Sequence, residues 1–146
     1  MKIVMLVNNW WSFRVFRQEF SSFLSESGCS LTVVGGGDSR DENISGFDLI
    51  ELPPLSSSFD LIGEVRFYVQ LFRKLISIRF DAFLVYGIRF SLCAWVFKVF
   101  GIRGTRILVL NGFGRVFSEN ASIAKRVLQW SVLRQFRCWD VLVVQN

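Results

Sequence analysis

The sequence predicts an α/β domain: a parallel sheet of about six strands with helices on both faces. Three observations point there. Short, unbroken apolar runs such as KIVMLV (Lys2–Val7) and AFLVY (Ala82–Tyr86) read as strands buried on both faces. Between such runs lie longer segments whose apolar residues recur at helical spacing. The two kinds of segment alternate with short connections, which implies right-handed crossovers. At 146 residues the chain has the length of one domain, and 51% hydrophobic residues with 16 Phe and 5 Trp exclude a disordered or low-complexity chain.

The first strand, Lys2–Val7, is rich in β-branched residues and stops at Asn8-Asn9. Phe13–Ser27 reads as one helix with Phe13, Phe16, Phe20 and Leu24 inward, Phe23 beside them, and Gly28 at its C-terminus. Leu31–Val34 is the second strand. It opens into Gly35-Gly36-Gly37, read as a flexible turn, and then a polar loop over Asp38–Gly46. Phe47–Leu52 is a third strand, stopped by Pro53-Pro54. Leu61–Ile78 is the longest helical pattern. Leu61, Val65, Tyr68, Phe72 and Leu75 form its main stripe, widened by Ile62, Val69 and Ile76, with Asp60 placed to cap it. Ala82–Tyr86 is the fourth strand and Phe90–Phe100 an apolar helix ending at Gly101. Arg106–Leu110 is the fifth strand and leads into the turn Asn111-Gly112-Phe113-Gly114. Ala121–Phe136 reads as a helix with Ile123, Val127, Trp130 and Val132 or Leu133 inward, and Val141–Val144 is the sixth strand. Ligands of such sheets sit beyond the C-terminal ends of the strands, near the point where strand order reverses. Asn8–Ser12, Gly87–Phe90 and Asn111–Phe117 are therefore the segments to inspect.

Composition narrows the chemistry. The chain has no histidine, which removes the commonest general base, the Ser-His and Cys-His nucleophile pairs and every His metal ligand. Cys29, Cys93 and Cys138 are far apart and odd in number, with no CxxC, and read as reduced, mostly buried thiols; no metal site is expected. Residues 1–86 carry 8 basic against 10 acidic side chains, and residues 87–146 carry 9 against 2, so a half of charge −2 precedes a half of charge +7. The basic half suits an anionic partner or a solvated face. Nucleic acid is not expected, because no RNA- or DNA-binding pattern accompanies the charge. No signal peptide or membrane span is read: Asn8-Asn9 cuts the first apolar run short, and Phe90–Phe97 ends at Lys98. No pair of acids is spaced for general acid–base work, and Asp38, Asp41 and Glu42 cluster in a loop.

Several motifs admit two readings each. Trp10-Trp11, at the end of the first strand, form either a stacking platform for a sugar or lipid, or a cap on the core. Gly112-Phe113-Gly114, with Arg115 beside it, either brings backbone N–H groups to a phosphate or makes a tight turn; it is not a dinucleotide fingerprint, since Phe117 holds the third Gly position. The narrower line Phe67, Leu71 and Ile78, flanked by Arg66, Arg73 and Lys74, fits a helix lying in a bilayer surface or one packed on both sides. Phe90–Phe100, with Trp95, Lys98 and Arg103, invites the same two readings.

The order of these pieces resembles the N-terminal domain of the family 4 glycosyltransferases, retaining enzymes with two facing Rossmann-like domains (the GT-B architecture). Within them the bacterial group that builds polysaccharide and lipid-linked oligosaccharide precursors is most similar. The pieces are Asn8, Trp11, Phe13 and Arg17 around the first crossover, Gly28, Asp81–Tyr86, Gly101-Ile102, the stretch Asn111-Gly112-Phe113-Gly114-Arg115-Val116-Phe117, and the closing Asp140–Asn146. The resemblance spans all 146 residues. Three positions depart from the family pattern: Phe16 stands where a His precedes the helix Arg, Tyr86-Gly87-Ile88-Arg89 lacks the loop His, and Arg115 replaces a Tyr. The family's donor domain, with its Glu-x7-Glu motif, has no counterpart, as no two Glu are eight apart.

The resemblance implies half of a GT-B enzyme, a single acceptor-side domain over residues 1–146 with no catalytic residue of its own. Trp10, Trp11, Arg14, Arg17 and Arg89 would border the acceptor, and Asn111, Gly112, Gly114 and Arg115 would face the interdomain cleft and its phosphates. It further implies transfer of a sugar from a nucleotide-sugar, held by a C-terminal donor domain or a separate donor-binding chain, to a membrane-associated glycan or lipid carrier. No cofactor is expected on this domain alone. The expected place is cytoplasmic, peripheral on an anionic membrane surface at its inner face. The competing expectation is a non-catalytic membrane-docking subunit that recruits a separate donor-binding protein.

Overall fold

All six strands form. The computed structural model describes residues 1–39, 44, 46–54, 61–111, 130 and 133–145. Its strands are β1 (Lys2–Leu6), β2 (Ser30–Gly36), β3 (Asp48–Leu52), β4 (Ala82–Tyr86), β5 (Thr105–Asn111) and β6 (Val141–Gln145). They make one all-parallel sheet in the order β3-β2-β1-β4-β5-β6. This is the strand order of a Rossmann-like sheet, and it reverses beside β1. The chain divides into two compact units, Met1–Phe83 and Leu84–Asn146, described in turn.

In the first unit, β1 pairs with β2 from Lys2↔Ser30 to Leu6↔Val34, and β2 with β3 from Thr32↔Asp48 to Gly36↔Leu52. Ile3 to Val7 are all buried, so both faces of β1 are covered. The single helix expected over Phe13–Ser27 is two, α1 (Trp10–Phe16) and α2 (Gln18–Glu26). Arg17, at φ −129° and ψ −15°, leaves the helical region and breaks it. The break resets the phase: Trp10, Phe13 and Ser21 are buried, whereas Phe16, Phe20 and Phe23, expected inside, are exposed. Gly28, at φ +82°, ends α2 as expected: its N–H donates to Ser25 O and that of Cys29 to Leu24 O, a Schellman closure.

The long helix, α3 (Leu61–Leu75), is likewise rotated from its expected setting. Phe67, Leu71 and Leu75 are buried, while Ile62, Val65, Val69 and Ile76 are exposed, Ile62 at 81%. Phe67 and Leu71, from the line that admitted an interfacial or a packed reading, are packed in the core with Leu75 of the main stripe, and Ile62, Val69 and Ile76, read as widening that stripe, look outward. Asp81, just before β4, fastens the start of β1: its carboxylate accepts the Lys2 N–H at 2.7 Å and its own N–H donates to Lys2 O.

In the second unit, Gly87 at φ +97° leads from β4 into a single 3-10 turn, Ile88–Phe90, and then α4 (Leu92–Val99). Gly101, at φ +64°, closes α4 with the same paired bonds, Gly101 N–H to Lys98 O and Ile102 N–H to Phe97 O. β5 pairs with β6 from Ile107↔Val141 to Asn111↔Gln145. Asp140 repeats the device of Asp81, accepting the Arg106 N–H while its own N–H donates to Arg106 O. β6 is an edge strand whose apolar side chains Val141–Val144 stay exposed. Residues 133–136 are helical. Trp130 and Leu133, expected inward, are exposed; Ile123, Val127 and Val132 lie outside the described residues.

Candidate functional site

The end of β1 is where sheet order directs attention in the first unit. Asn9 caps α1: its side-chain oxygen accepts the Ser12 N–H at 2.8 Å. This places Trp10 on the first helical residue, and its indole turns back over β2. The ring is 2% exposed and its Nε1–H donates to Gly37 O at 2.8 Å. Below it, a Cβ on Gly35 would stand 3.1 Å from three indole carbons. The triple glycine is therefore not a flexible turn. Gly35 and Gly36 are buried residues of β2, Gly35 makes room for the indole, and Gly37, at φ +94°, turns the chain out. Trp10, expected to border an acceptor, is a core residue instead. A sequence signal existed in the pairing of three glycines with a tryptophan just after the neighbouring strand.

Ser39 follows and is buried; its N–H and hydroxyl both donate to one carboxylate oxygen of Glu51, at 2.8 and 2.6 Å. This ties the segment after β2 to β3, and leaves Glu51 acting as a structural acceptor.

The remaining candidates of α1 point outward. Trp11 is 52% exposed and stands edge-on to Phe16, with ring centroids 5.8 Å apart. Arg14 lines an open groove of about 520 Å³ with Gln18, Glu19, Ser22, Phe23 and Glu26. Arg17 is half-buried at the break between helices, its guanidinium donating to Phe16 O at 3.3 Å. The groove joins one cation to two carboxylates, Glu19 and Glu26, and it offers polar recognition rather than a nucleophile.

In the second unit, Arg89 lies half-buried in the 3-10 turn after Gly87. Asn111 ends β5, its backbone opposite Gln145. Gly112, Gly114 and Arg115 lie outside the described residues, as do Asp41 and Glu42 of the acidic cluster and Asp60. A feature missed in the sequence is a groove of about 240 Å³ lined by Leu92, Trp95, Trp130, Arg134 and Gln135. The Arg134 guanidinium carbon sits 5.2 Å from the centre of the Trp130 ring. Ser91 anchors this region from below: its hydroxyl donates to Gln135 Oε1 at 2.6 Å, and its carbonyl accepts the Trp139 indole N–H at 3.0 Å.

Titratable groups here serve structure. The Arg106 guanidinium grips both Asp140 oxygens at 2.8 and 2.9 Å, and this hydrogen bonding holds the Asp140 carboxyl below its ordinary range. Burial pushes the Cys93 thiol well above its ordinary value, against nucleophilic use. Cys29 and Cys138 are free and half-buried, so only one of the three thiols expected to be buried is fully so. Among the described residues no three His, Cys, Asp or Glu side chains gather to hold a metal ion, and no helix is long and apolar enough to cross a membrane. No protein-family model matches the chain, and no curated protein matches it as a relative.

Proposed function

We propose that this chain is the acceptor-side domain of a retaining sugar transferase acting on a membrane-associated glycan or lipid carrier. The donor half, which holds the nucleotide-sugar, comes from further sequence or from a second chain. What supports the reading most is how the first crossover departs from a cofactor-binding one. A Rossmann-like sheet that holds a dinucleotide does so through a glycine-rich first turn and an open helix N-terminus. Here the turn is Asn8-Asn9, the Asn9 side chain occupies the cap, and the Trp10 ring fills the space above Gly35. The sheet keeps the strand order of nucleotide-binding domains, but no glycine-rich turn follows β1 and the Trp10 indole packs back over Gly35 of β2. That suits a domain whose partner carries the nucleotide. The outward Trp11 and Arg14 supply an aromatic face and a cation beside that end of the sheet, suited to sugar rings and phosphate.

Trp11, Arg14, Arg17 and Arg89 remain the acceptor-side residues of this proposal, and Asn111, Gly112, Gly114 and Arg115 its cleft-facing ones. The protein acts at the inner face of the membrane, held peripherally on anionic lipid. The test is transfer of labelled sugar from nucleotide-sugars to extracted membrane lipids. The chain alone is expected to give none, and Trp11→Ala with Arg14→Ala to weaken binding of the glycolipid acceptor. Transfer by the purified chain alone contradicts the division of labour.

A further inference from the structure

We propose that the second unit docks on an anionic bilayer through the outward face of α4 together with Trp130 and Leu133; this rests on the membrane-bound acceptor proposed above and names the surface that meets the membrane. α4 has two faces of opposite fate. Cys93, Ala94 and Phe97 are fully buried, while Leu92, Trp95 and Val99, at i, i+3 and i+7, look outward, followed by an exposed Phe100. Trp95 at 51% and Trp130 at 60% exposure line the same groove with Leu92, so the outward face of α4 continues onto the segment that carries Arg134. Six large apolar side chains left in water on neighbouring elements form the kind of patch that marks an interaction surface.

The charge around it selects the occupant. Lys98, Arg103, Arg134 and Arg137 are all exposed. The one acid described in this unit, Asp140, is engaged by Arg106. Over the full sequence the second unit carries +7 and the first −2. A second copy placed on this face would bring like charges together, whereas anionic headgroups complement them. Indoles with a cation alongside fit the boundary between headgroups and acyl chains, with the basic residues reaching phosphates. α4 has eight residues, far too few to span a bilayer, so it lies on the surface. α3 also presents exposed apolar side chains with Arg66, Arg73 and Lys74 alongside, but it lies in the unit of charge −2, has Glu64 in its first turn and carries no indole.

The experiment is sedimentation of the full chain with phosphatidylcholine vesicles, with and without phosphatidylglycerol. Binding is expected only to the anionic vesicles and is expected to weaken as salt rises. Trp95→Ala with Trp130→Ala, or Lys98→Glu with Arg134→Glu, is expected to lower it by about tenfold or more. Ile62→Ser with Val69→Ser on α3 is expected to leave it unchanged. All these positions are exposed, and circular dichroism checks that each variant folds. Brominated lipid is expected to quench part of the tryptophan emission, and Trp95→Phe with Trp130→Phe to remove that part, leaving the buried Trp10 and Trp139 unaffected. Binding that survives the α4 variants but not the α3 variant overturns this surface while the membrane reading stands. No binding to either vesicle overturns both. A lipid-free dimer that Trp95→Ala with Trp130→Ala dissociates assigns the face to a second copy and overturns the proposal.

Discussion

Trp10 is the residue on which the first unit turns. Its indole is enclosed, hydrogen-bonded to Gly37 O, and packed where a Gly35 side chain would be. A methyl at Gly35 must push an indole that its own hydrogen bond holds, so Gly35→Ala is expected to destabilise the fold by about 1–3 kcal/mol, read from the urea midpoint. A neutral result would mean the ring is free to move. Asp140 gives a pH signature. Its carboxyl is held low first by the Arg106 side-chain hydrogen bond, so its contribution is present above the unfolded-state value of about 4 and is lost as pH falls through the lower folded value. The pair is partly exposed, so Asp140→Asn is expected to cost no more than about 1 kcal/mol at neutral pH and to flatten the acid limb of a stability profile. Among thiols, Cys29 and Cys138 are expected to react with a maleimide well before Cys93, which labels only on unfolding.

At the scale of elements, helical period was legible and helical phase was not. α3 carries apolar residues nearly all round: Ile62, Val65, Val69 and Ile76 on one side, Phe67, Leu71 and Leu75 on another. Period alone cannot choose between them, and tertiary packing chose the second. Phe67→Ala is therefore expected to cost about 3–5 kcal/mol, and Val69→Ser to stay within about 0.5 kcal/mol, by chemical denaturation. The reverse order would restore the stripe read from the sequence. α1 and α2 were merged because nothing in the residue types at Phe16-Arg17-Gln18 marks a break, which depends on a single backbone conformation at Arg17. Strands fared better, because unbroken β-branched runs have one reading, and Gly28 and Gly101 marked helix ends through the left-handed conformation they adopt. Asp81 and Asp140 were noticed only as pieces of a resemblance. Each proves to be a register clamp, fastening the start of a neighbouring strand at the sheet edge opposite to where ligands of this fold bind.

At the scale of the whole molecule, a Rossmann-like strand order coexists with a β1 end that lacks a glycine-rich turn and a Trp10 indole packed over Gly35. Alternation of strands and helices made the sheet legible from the sequence. The seating of the indole was hidden, because it depends on a long-range contact between Trp10 and Gly35. On the proposed reading, the charge split between −2 and +7 places the anion-attracting surface on the second unit. The most direct test is equilibrium binding of the purified chain to vesicles carrying a polyprenyl-diphosphate-linked saccharide, beside a parallel titration with nucleotide-sugars. Saturable binding that requires the glycolipid, with none to the nucleotide-sugars, is the expected result. Saturable binding of a nucleotide-sugar with no preference for the glycolipid would contradict the assignment of this chain to the acceptor side.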